Sequence, residues 1–215
     1  MNIIFLGPIS SGKGTQASLI AKEYNLIAIS TGELLRDRRN IQDEIGLKIA
    51  SLQQQGKLVD DDITLQVLEE KIRSCDKNQG ILFDGYPRSL KQAESLDDLL
   101  LKYGRKINKV INFEIDDKAI IDRIGGRLIC SCGENYHKIY KKPVKENTCD
   151  KCGEMLYQRD DDTEEGIKTR LEVYHTYVYP LINFYKNRNL LESVDALQDI
   201  EKVSEDIKDI LGGVM

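Results

Sequence analysis

The sequence lacks the features that carry a protein into or across a membrane. No apolar run approaches the roughly eighteen residues that a membrane-spanning helix needs. The apolar run at residues 2–6 is short and follows no basic segment, so we do not expect a signal peptide. These absences predict a cytoplasmic protein. Its five cysteines should then stay reduced and serve a metal site or lie inertly buried.

The sequence also lacks net positive charge, internal repeats and low-complexity segments. Its 31 lysines and arginines are outnumbered by 36 aspartates and glutamates, which gives a net charge of −5. General affinity for nucleic acid is therefore not expected. If the ligand is a polyphosphate, an acidic chain must gather its basic residues into one cleft. The length of 215 residues suits one domain with small insertions.

The first two dozen residues carry the strongest local pattern. Residues 2–6 predict a strand, residues 7–15 contain a G-x-x-x-x-G-K loop, and residues 16–24 predict a short helix. In that order, the loop N–H groups and the helix N-terminus can bind phosphate, and Lys13 adds a full positive charge. The pattern departs from the strict motif at Gly14, because the hydroxyl residue that holds Mg²⁺ normally follows the lysine directly.

Five short apolar segments alternate with helical patterns along the chain. They are residues 2–6, 26–30, 80–84, 109–115 and 190–194. This alternation predicts an α/β fold with a doubly wound, five-stranded parallel sheet. Ligands bind beyond the carboxyl ends of such strands, where we expect the glycine-rich loop, Thr31, Asp84 and Asp116. The alternation stops between residues 125 and 158, where paired cysteines, glycines and aromatic residues predict a small β-rich insertion.

Charged residues near the predicted carboxyl edge indicate a site for a magnesium-bound phosphate. Asp84 ends a hydrophobic strand and can hold Mg²⁺ directly or through water, although it can also merely cap the next turn. Arg88 follows a Gly-Tyr-Pro turn that projects it into the crevice. Further arginines lie at element ends or in the insertion: Arg36, Arg38, Arg123, Arg127, Arg159 and Arg170. Each alone suits a solvated surface, but together they predict bidentate phosphate binding.

The chain resembles the adenylate kinase family, in its bacterial type with a long lid. The matching motifs run in order over nearly the whole chain, at residues 12–16, 30–36, 56–59, 84–88, 92–93, 123–127, 157–159, 161–162 and 170–172. The resemblance implies the P-loop nucleoside monophosphate kinase fold and the reaction ATP + AMP ⇌ 2 ADP with Mg²⁺. It also implies that ATP, AMP and ADP are the partners. A monomer without a membrane partner is expected, because one chain holds a complete site.

The resemblance divides the chain into a core and two mobile parts. The core comprises residues 1–29, 60–124 and 161–215, the AMP-binding segment residues 30–59, and the lid residues 125–160. The residues implied to bind ATP are Ser10, Ser11, Gly12, Lys13, Gly14, Thr15, Arg123, Arg127, Tyr136 and Gln198. Those implied to bind AMP are Thr31, Arg36, Lys57, Val59, Gly85, Arg88, Gln92, Arg159 and Arg170. The implied catalytic residues are Lys13, Arg88, Arg123, Arg159 and Arg170, and Asp84 is implied to hold Mg²⁺ through water.

The resemblance also implies individual roles within these sets. Gln92 is implied to read the adenine edge of AMP, and the backbone near Gln198 is implied to meet the adenine of ATP. Arg159 and Arg170 are implied to bridge the phosphates during transfer. The acidic residues 161–162 have two possible roles, which are to orient lid arginines and to cap the following helix.

Two departures from the family's usual pattern change what we expect. The family loop usually reads Gly-x-Pro-Gly-x-Gly-Lys, and if Ser10 stands where glycine is normal, its positive φ costs about 1–2 kcal/mol. Four lid cysteines resemble the zinc-bearing lids of the family: Cys130, Cys132, Cys149 and Cys152. The first pair is spaced C-x-C, but residues i and i+2 of an extended strand point the same way, so we expect structural Zn²⁺. The alternative is a metal-free lid with reduced thiols. His137 is a substitute ligand, and Cys75 is expected to be a bystander.

Two rival functions stay open on the sequence. One is another nucleoside monophosphate kinase, acting on UMP, CMP or GMP. The matches at Thr31 and Gln92, with the long cysteine-bearing lid, favour AMP. The other is a non-enzymatic protein whose cysteine module is a zinc ribbon that binds nucleic acid or protein. The net acidity, the arginine set and Asp84 argue against it.

Overall fold

A five-stranded parallel sheet forms the centre of the protein, and it confirms the predicted fold class. The computed structural model describes residues 1–54, 59–158 and 162–213. The strands of the sheet are β1 (Asn2–Leu6), β2 (Ile27–Ser30), β3 (Ile81–Asp84), β4 (Lys109–Glu114) and β7 (Leu191–Asp195). They lie in the order β2-β3-β1-β4-β7, and every neighbouring pair is parallel. The five predicted strands therefore all form.

Helices cover both faces of the sheet, which is why its strands are apolar without alternation. The helices are α1 (Lys13–Glu23), α2 (Thr31–Arg38), α3 (Glu44–Gln54), α4 (Asp61–Ser74), α5 (Leu90–Lys102), α6 (Asp117–Gly125), α7 (Glu164–Val173), α8 (Tyr179–Lys186) and α9 (Ile200–Gly212). Along β1, Ile4 and Leu6 pack into the core shared with α4, α5 and α8. Ile3 and Phe5 pack into the opposite core, shared with α1 and α9.

The register of the parallel strands brings the predicted ligand-binding positions to one edge. Asp84, the last residue of β3, pairs with Phe5 of β1 and with Ser30 of β2. The glycine-rich loop follows β1 at Leu6, and Thr31 begins α2 directly after β2. Because parallel strands end together, the loop, Thr31 and Asp84 meet beyond the carboxyl edge of the sheet.

The insertion between α6 and α7 forms a small β-rich unit, as its composition predicts. Two antiparallel strands, β5 (Arg127–Ile129) and β6 (Asn135–His137), form a separate sheet. Isolated bridges join Ile129 to Tyr157 and Thr148 to Met155. The apolar core of this unit is small and consists of Leu128, Cys130, Tyr136, Cys149 and Leu156.

A π-helical turn, Tyr174–Val178, joins α7 to α8 without a break. The N–H of Tyr179 donates to the carbonyl of Tyr174, five residues back, instead of to the residue four back. Pro180 follows near the start of α8. A proline inside an α-helix clashes with the carbonyl four residues earlier, and a widened turn relieves that clash. The sequence predicts a final helical stretch around Pro180 but not the π geometry.

No helix within residues 1–54, 59–158 and 162–213 has both the length and the apolar character that a bilayer crossing requires. Helix α4, for example, spans 14 residues and begins with two acidic residues in its first turn. This finding agrees with the lack of long apolar runs in the sequence.

Adjacent leucines in α5 provide a direct test of how much the central core contributes to stability. Leu100 is fully buried, whereas Leu101 is 74% exposed. We expect Leu100→Ala to lower the free energy of unfolding by about 2–5 kcal/mol, because it leaves a cavity in a packed core. Leu101→Ala is the matched control and should change it by less than about 0.5 kcal/mol. Urea denaturation followed by circular dichroism measures both values. Equal effects of the two substitutions would contradict the described packing.

Candidate active site

The phosphate loop between β1 and α1 contains three residues in the left-handed region of backbone space. Gly7 has φ of 144°, Ser10 of 55° and Gly12 of 94°. Position 7 requires glycine for a second reason, which is the close contact between its backbone and Phe113. A β-carbon added there would lie 2.9 Å from Cβ of Phe113. The positive φ of Ser10 confirms that a residue with a side chain stands where the loop conformation favours glycine.

Lys13 begins α1 and folds back over the loop. Its Nζ donates to the carbonyl of Gly7 at 2.8 Å, to the carbonyl of Pro8 and to Oγ of Ser11 at 3.1 Å. Burial lowers the pKa of Lys13 to about 8, the Asp84 carboxylate partly offsets this, and the nearby guanidinium groups of Arg88 and Arg127 lower it further. Lys13 therefore lies near Asp84, Arg88 and Arg127, the charged residues that the sequence predicts for the site.

Asp84 stands beside the loop and is suited to hold a magnesium ion. A β-carbon added to Gly14 would lie 3.7 Å from Oδ2 of Asp84, so the carboxylate occupies the space next to the unusual glycine. Burial raises the pKa of Asp84, while the positive charges of Lys13 and Arg88 oppose the rise. A carboxylate supplies oxygen ligands, which Mg²⁺ prefers, either directly or through water. The residues present at this position therefore fit the implied ion.

Asp162 links two of the predicted phosphate-binding arginines. Its carboxylate, whose side chain is fully buried, accepts from Nε of Arg127 at 2.9 Å, from Nη2 of Arg127 and from Nη1 of Arg170 at 3.1 Å. Nη1 of Arg127 also reaches Oγ of Ser10 at 3.4 Å. Helix α7 is capped by Thr163, which accepts from the N–H of Gly166 at 3.1 Å. Of the two readings of this acidic segment, Asp162 therefore fits the arginine-orienting role.

Arg123 contacts the loop after β7, to which Gln198 belongs. Nη2 of Arg123 donates to the carbonyl of Ala196 at 2.7 Å, and its guanidinium carbon lies 5.4 Å from the ring centre of Tyr140. Nε2 of Gln198 donates to the carbonyl of Asp195 at 3.3 Å. The contact of Arg123 with Ala196 thus brings two residues implied to bind ATP to the same short loop.

The AMP-side candidates surround the start of α2 and of α5. The hydroxyl of Thr31 is buried and has no hydrogen-bond partner within the described parts of the chain. Gln92 accepts at Oε1 from the N–H of Arg88, and Nε of Arg88 donates to the carbonyl of Gly85 at 2.8 Å. A β-carbon on Gly32 would lie 3.3 Å from Nη1 of Arg36, so that guanidinium lies over the first turn of α2.

The remaining candidates on the AMP side are Val59, Lys57 and Arg159. Val59 packs against the small cluster of Ile49, Ile63 and Val67. Lys57 and Arg159, as well as Asp161, fall outside the residues that the structure describes. Their roles therefore stay predictions.

The four lid cysteines meet, as the motif predicts. Their sulfur atoms all lie within 4.8 Å of one another, with Cys130 3.3 Å from Cys152 and Cys132 3.6 Å from Cys149. Sulfur ligands of tetrahedral zinc are separated by about 3.8 Å, so the four thiols are positioned to bind one metal ion.

The first cysteine pair lies in a turn and not in the extended strand that we expected. Gly133 donates its N–H to the carbonyl of Cys130 at 3.0 Å, three residues back, and has φ of 89°. Gly153 donates likewise to Cys149 at 2.9 Å, four residues back, with φ of 78°. The turn at the C-x-C pair is thus one residue shorter than the turn at the C-x-x-C pair, but both are closed by a backbone hydrogen bond. The extended geometry that we expected for the first pair is therefore wrong.

Backbone groups around Cys149 favour the thiolate that a metal needs. Burial raises the pKa of this thiol, but the N–H groups of Cys152 and Lys151 and the hydroxyl of Tyr136 lower it to about 6. The Tyr136 hydroxyl lies 3.6 Å from Sγ of Cys149 and accepts from the N–H of Asp150 at 2.8 Å. Tyr136 is buried in the lid core, where its hydroxyl contacts the cysteine cluster, and its implied contact with ATP stays a prediction.

The hydrogen-bond partners of His137 are backbone groups and not members of the cysteine cluster. Its Nδ1 accepts from the N–H groups of Ile139 at 3.0 Å and Tyr140 at 3.2 Å, and its Nε2 lies 2.8 Å from the carbonyl of Arg123. Burial lowers the pKa of His137, which favours the neutral ring. A β-carbon on Gly126 would lie 2.5 Å from this ring, so the glycine permits a close contact at the junction of α6 and the lid. His137 is therefore structural.

The lid lies over the phosphate loop and against α2. A β-carbon on Gly14 would be 3.8 Å from Nδ2 of Asn135, and one on Gly133 would be 3.6 Å from Oε1 of Glu33. Burial raises the pKa of Glu33, opposed by Arg36. Sequence reasoning missed Asn135 and Glu33 as residues near the site. Asn135 belongs to no motif, and Glu33 lies within the matching segment 30–36 but had no implied role there.

Comparison with known proteins identifies a single family. The family model described as adenylate kinase matches residues 5–190. An adenylate kinase of Bacillus pumilus is 43% identical over 215 residues, which cover 100% of this chain and 99% of the relative. One from Caldicellulosiruptor saccharolyticus is 42% identical over 213 residues, with 99% of both chains covered. One from Methanosarcina mazei is 41% identical over 211 residues, with 98% of both covered.

Removal of one lid sulfur tests the metal centre. We expect the purified protein to hold about one zinc ion per chain, and Cys149→Ser to lose it and to melt at a lower temperature. The reason is that, among the described residues of the lid, the core is a cluster of five buried side chains, and we expect so small a core to need the metal to stay folded. Elemental analysis and thermal melting measure the two effects.

The control for this experiment is Cys75→Ser. Cys75 lies at the end of α4, where its thiol donates to the carbonyl of Lys71 at 3.1 Å, away from the lid cysteines. It should retain the zinc. A metal-free wild-type protein whose melting temperature does not change with a chelator would overturn the zinc assignment.

Proposed function

The chain belongs to the adenylate kinase family, and from this premise we propose that it transfers the γ-phosphoryl group of ATP to AMP and releases two ADP. The observation that carries the proposal is the convergence of Lys13, Asp84, Arg88, Arg127 and Arg170 around one phosphate loop. Phosphoryl transfer needs little covalent chemistry from a protein. It needs positive charge on the moving group and in-line positioning of the two nucleotides.

The donor side of the site holds ATP. The loop N–H groups and the N-terminus of α1 bind its phosphates, and Lys13 neutralises the β- and γ-phosphates. Asp84 is placed to hold Mg²⁺, which, when bound with ATP, neutralises charge on the phosphate oxygens. Arg123 and the loop after β7 lie where the rest of the nucleotide would contact the protein.

The acceptor side binds AMP between α2 and the start of α5. Arg36 and Arg88 supply guanidinium groups for its phosphate, and the hydroxyl of Thr31, which has no partner among the described residues, offers it a hydrogen bond. Gln92 reads the adenine. We propose residues 30–59 as the AMP-binding segment on this basis.

The lid, residues 125–160, closes over the reacting phosphates and keeps water from hydrolysing ATP. Arg127 joins it to the site because its guanidinium bridges Ser10 and Asp162. Arg170 then lies beside the same carboxylate, where it can stabilise charge on the transferred group. A closed lid also strengthens each of these electrostatic interactions by lowering the local dielectric constant.

We also propose that the protein acts as a cytoplasmic monomer without nucleic-acid or membrane partners. The support is its net charge of −5 and the fact that all the residues invoked come from one chain. The two rival functions are not favoured by the family match. No particular observation supports a zinc ribbon that binds nucleic acid.

Replacement of the loop lysine tests the proposed reaction. Lys13→Met should reduce ADP formation from ATP and AMP by at least about a thousandfold, because its charge acts at the transferred phosphates. Lys22→Met, an exposed position in the same helix, is the matched control and should keep wild-type turnover. A coupled assay measures ADP, and circular dichroism checks the fold. Unchanged turnover in Lys13→Met would contradict the role of Lys13, and a wild-type protein that forms no ADP would favour the non-enzymatic rival. Faster turnover with UMP, CMP or GMP than with AMP would sink the AMP assignment.

The lowered pKa of Lys13 predicts how ATP binding depends on pH. Its ammonium loses its proton as the pH rises through about 8, and ATP binds the charged form better. The dissociation constant for ATP should therefore rise above pH 8, by up to about tenfold per pH unit. Titration calorimetry between pH 7 and 9.5 measures it. Lys13→Arg keeps its charge over this range and should lack this rise, and an equal rise in both proteins would contradict the assignment to Lys13.

A further inference from the structure

The side-chain amide of Gln92 is held at both ends by groups of opposite hydrogen-bonding character. Its Nε2 donates to Oδ1 of Asp61 at 2.5 Å. Its Oε1 accepts from the backbone N–H of Arg88 at 2.7 Å. Asp61 lies in the first turn of α4, and Arg88 lies just before α5, whose N-cap Ser89 accepts from the N–H of Gln92. We call this arrangement the Asp61–Gln92–Arg88 chain.

This chain permits only one orientation of the amide. An ionised carboxylate can only accept hydrogen bonds, and a backbone N–H can only donate one. Rotating the amide by 180° would place its oxygen against the carboxylate of Asp61 and its NH₂ group against the N–H of Arg88. Two hydrogen bonds would become two repulsive contacts. The partners on α4 and α5 therefore determine which end of Gln92 donates and which end accepts.

The amide keeps one N–H and one oxygen lone pair that the chain does not use, since an amide has two donors and two acceptor positions. Offered side by side, this donor and acceptor complement the edge of adenine, which presents an acceptor at N1 and an amino donor at N6. Hypoxanthine and guanine present the reverse pattern, with a donor at N1 and an acceptor at O6. Only a flipped amide could pair with that pattern.

We propose that Asp61 is a specificity-determining positioning residue, which selects adenine over 6-oxopurine monophosphates by preventing the amide of Gln92 from flipping. The inference rests on the proposed function, in which Gln92 faces the base of the acceptor nucleotide. Asp61 itself acts through Gln92 and touches no phosphate-binding residue in the described contacts. The choice of acceptor thus depends on a carboxylate that no catalytic motif contains.

The test compares AMP with IMP, which reverses the hydrogen-bonding pattern at positions 1 and 6 without adding another group. Asp61→Asn replaces an acceptor by an amide that can accept or donate, so one of the two restraints that oppose a flip of Gln92 is lost. The ratio of kcat/KM for AMP to that for IMP should fall by about tenfold or more, mainly through KM. Asp61→Ala removes the acceptor without adding a donor, and it should lower the ratio as well.

Two controls separate positioning from a general structural effect. Asp62→Asn changes the next, exposed residue of the same helix turn and should leave the ratio unchanged. Asp61→Glu keeps a group that only accepts and should restore most of the selectivity. A merely structural role would reduce activity with both nucleotides and leave their ratio as in the wild type.

The outcomes also distinguish this inference from the proposed function. A wild-type protein that forms no ADP from ATP and AMP would remove the proposed function. A wild-type protein that prefers AMP, together with Asp61→Asn and Asp61→Ala proteins whose AMP-to-IMP ratios stay within about twofold of it, would overturn the role of Asp61 alone. A fall of the ratio in both variants, with none in Asp62→Asn, would establish it.

Discussion

Positive charges crowd one edge of the sheet, and two buried carboxylates hold them there. Asp84 faces Lys13 and Arg88, and Asp162 joins Arg127 to Arg170. A buried cation without a partner is strongly destabilising, so an isolated lysine would leave this edge or lose its proton, and an isolated arginine would leave it. The carboxylates thus keep guanidinium and ammonium groups ready before any phosphate arrives. The depressed pKa of Lys13 shows that this compensation is incomplete, and an incoming anion can supply the remainder.

The two ends of the site use different physical means of recognition. At the phosphates, charge dominates, and loop N–H groups and arginines tolerate small changes in geometry. At the acceptor base, neutral hydrogen bonds have to distinguish adenine from 6-oxopurines, in which the donor and the acceptor at positions 1 and 6 are exchanged. In the proposed role of Gln92, the direction of these hydrogen bonds matters more than their strength, and its bonds to Asp61 and to the N–H of Arg88 fix that direction. The lid adds the exclusion of water, with its cysteine cluster supporting a unit that has little apolar core of its own.

Much of the fold could be predicted from sequence because its signals are local. The five strands, the phosphate loop and Asp84 at a strand end follow from short apolar runs and their neighbours. The cysteine cluster was predictable in its members but not in its geometry, since the one-residue-shorter turn at Cys130 depends on the φ of Gly133. For Tyr136, the motif match indicated ATP but did not signal that the side chain packs in the lid core. Contacts such as those of Asp61 and Asn135 bring distant segments together, and no single segment signals them.

The π-helical turn at Tyr174–Val178 sets the rotational phase between two working parts of one long helix. Upstream, Arg170 faces the site; downstream, Leu181 and Tyr185 are fully buried in the central core. A turn closed by a hydrogen bond five residues back contains one residue more than an α turn and covers about the same rotation. Leu181 and Tyr185 therefore keep the helical phase that buries them, although the chain between Arg170 and α8 is one residue longer than a regular helix would need. Loss of that one residue would close the stretch as an ordinary α turn and leave the core contacts of α8 in place.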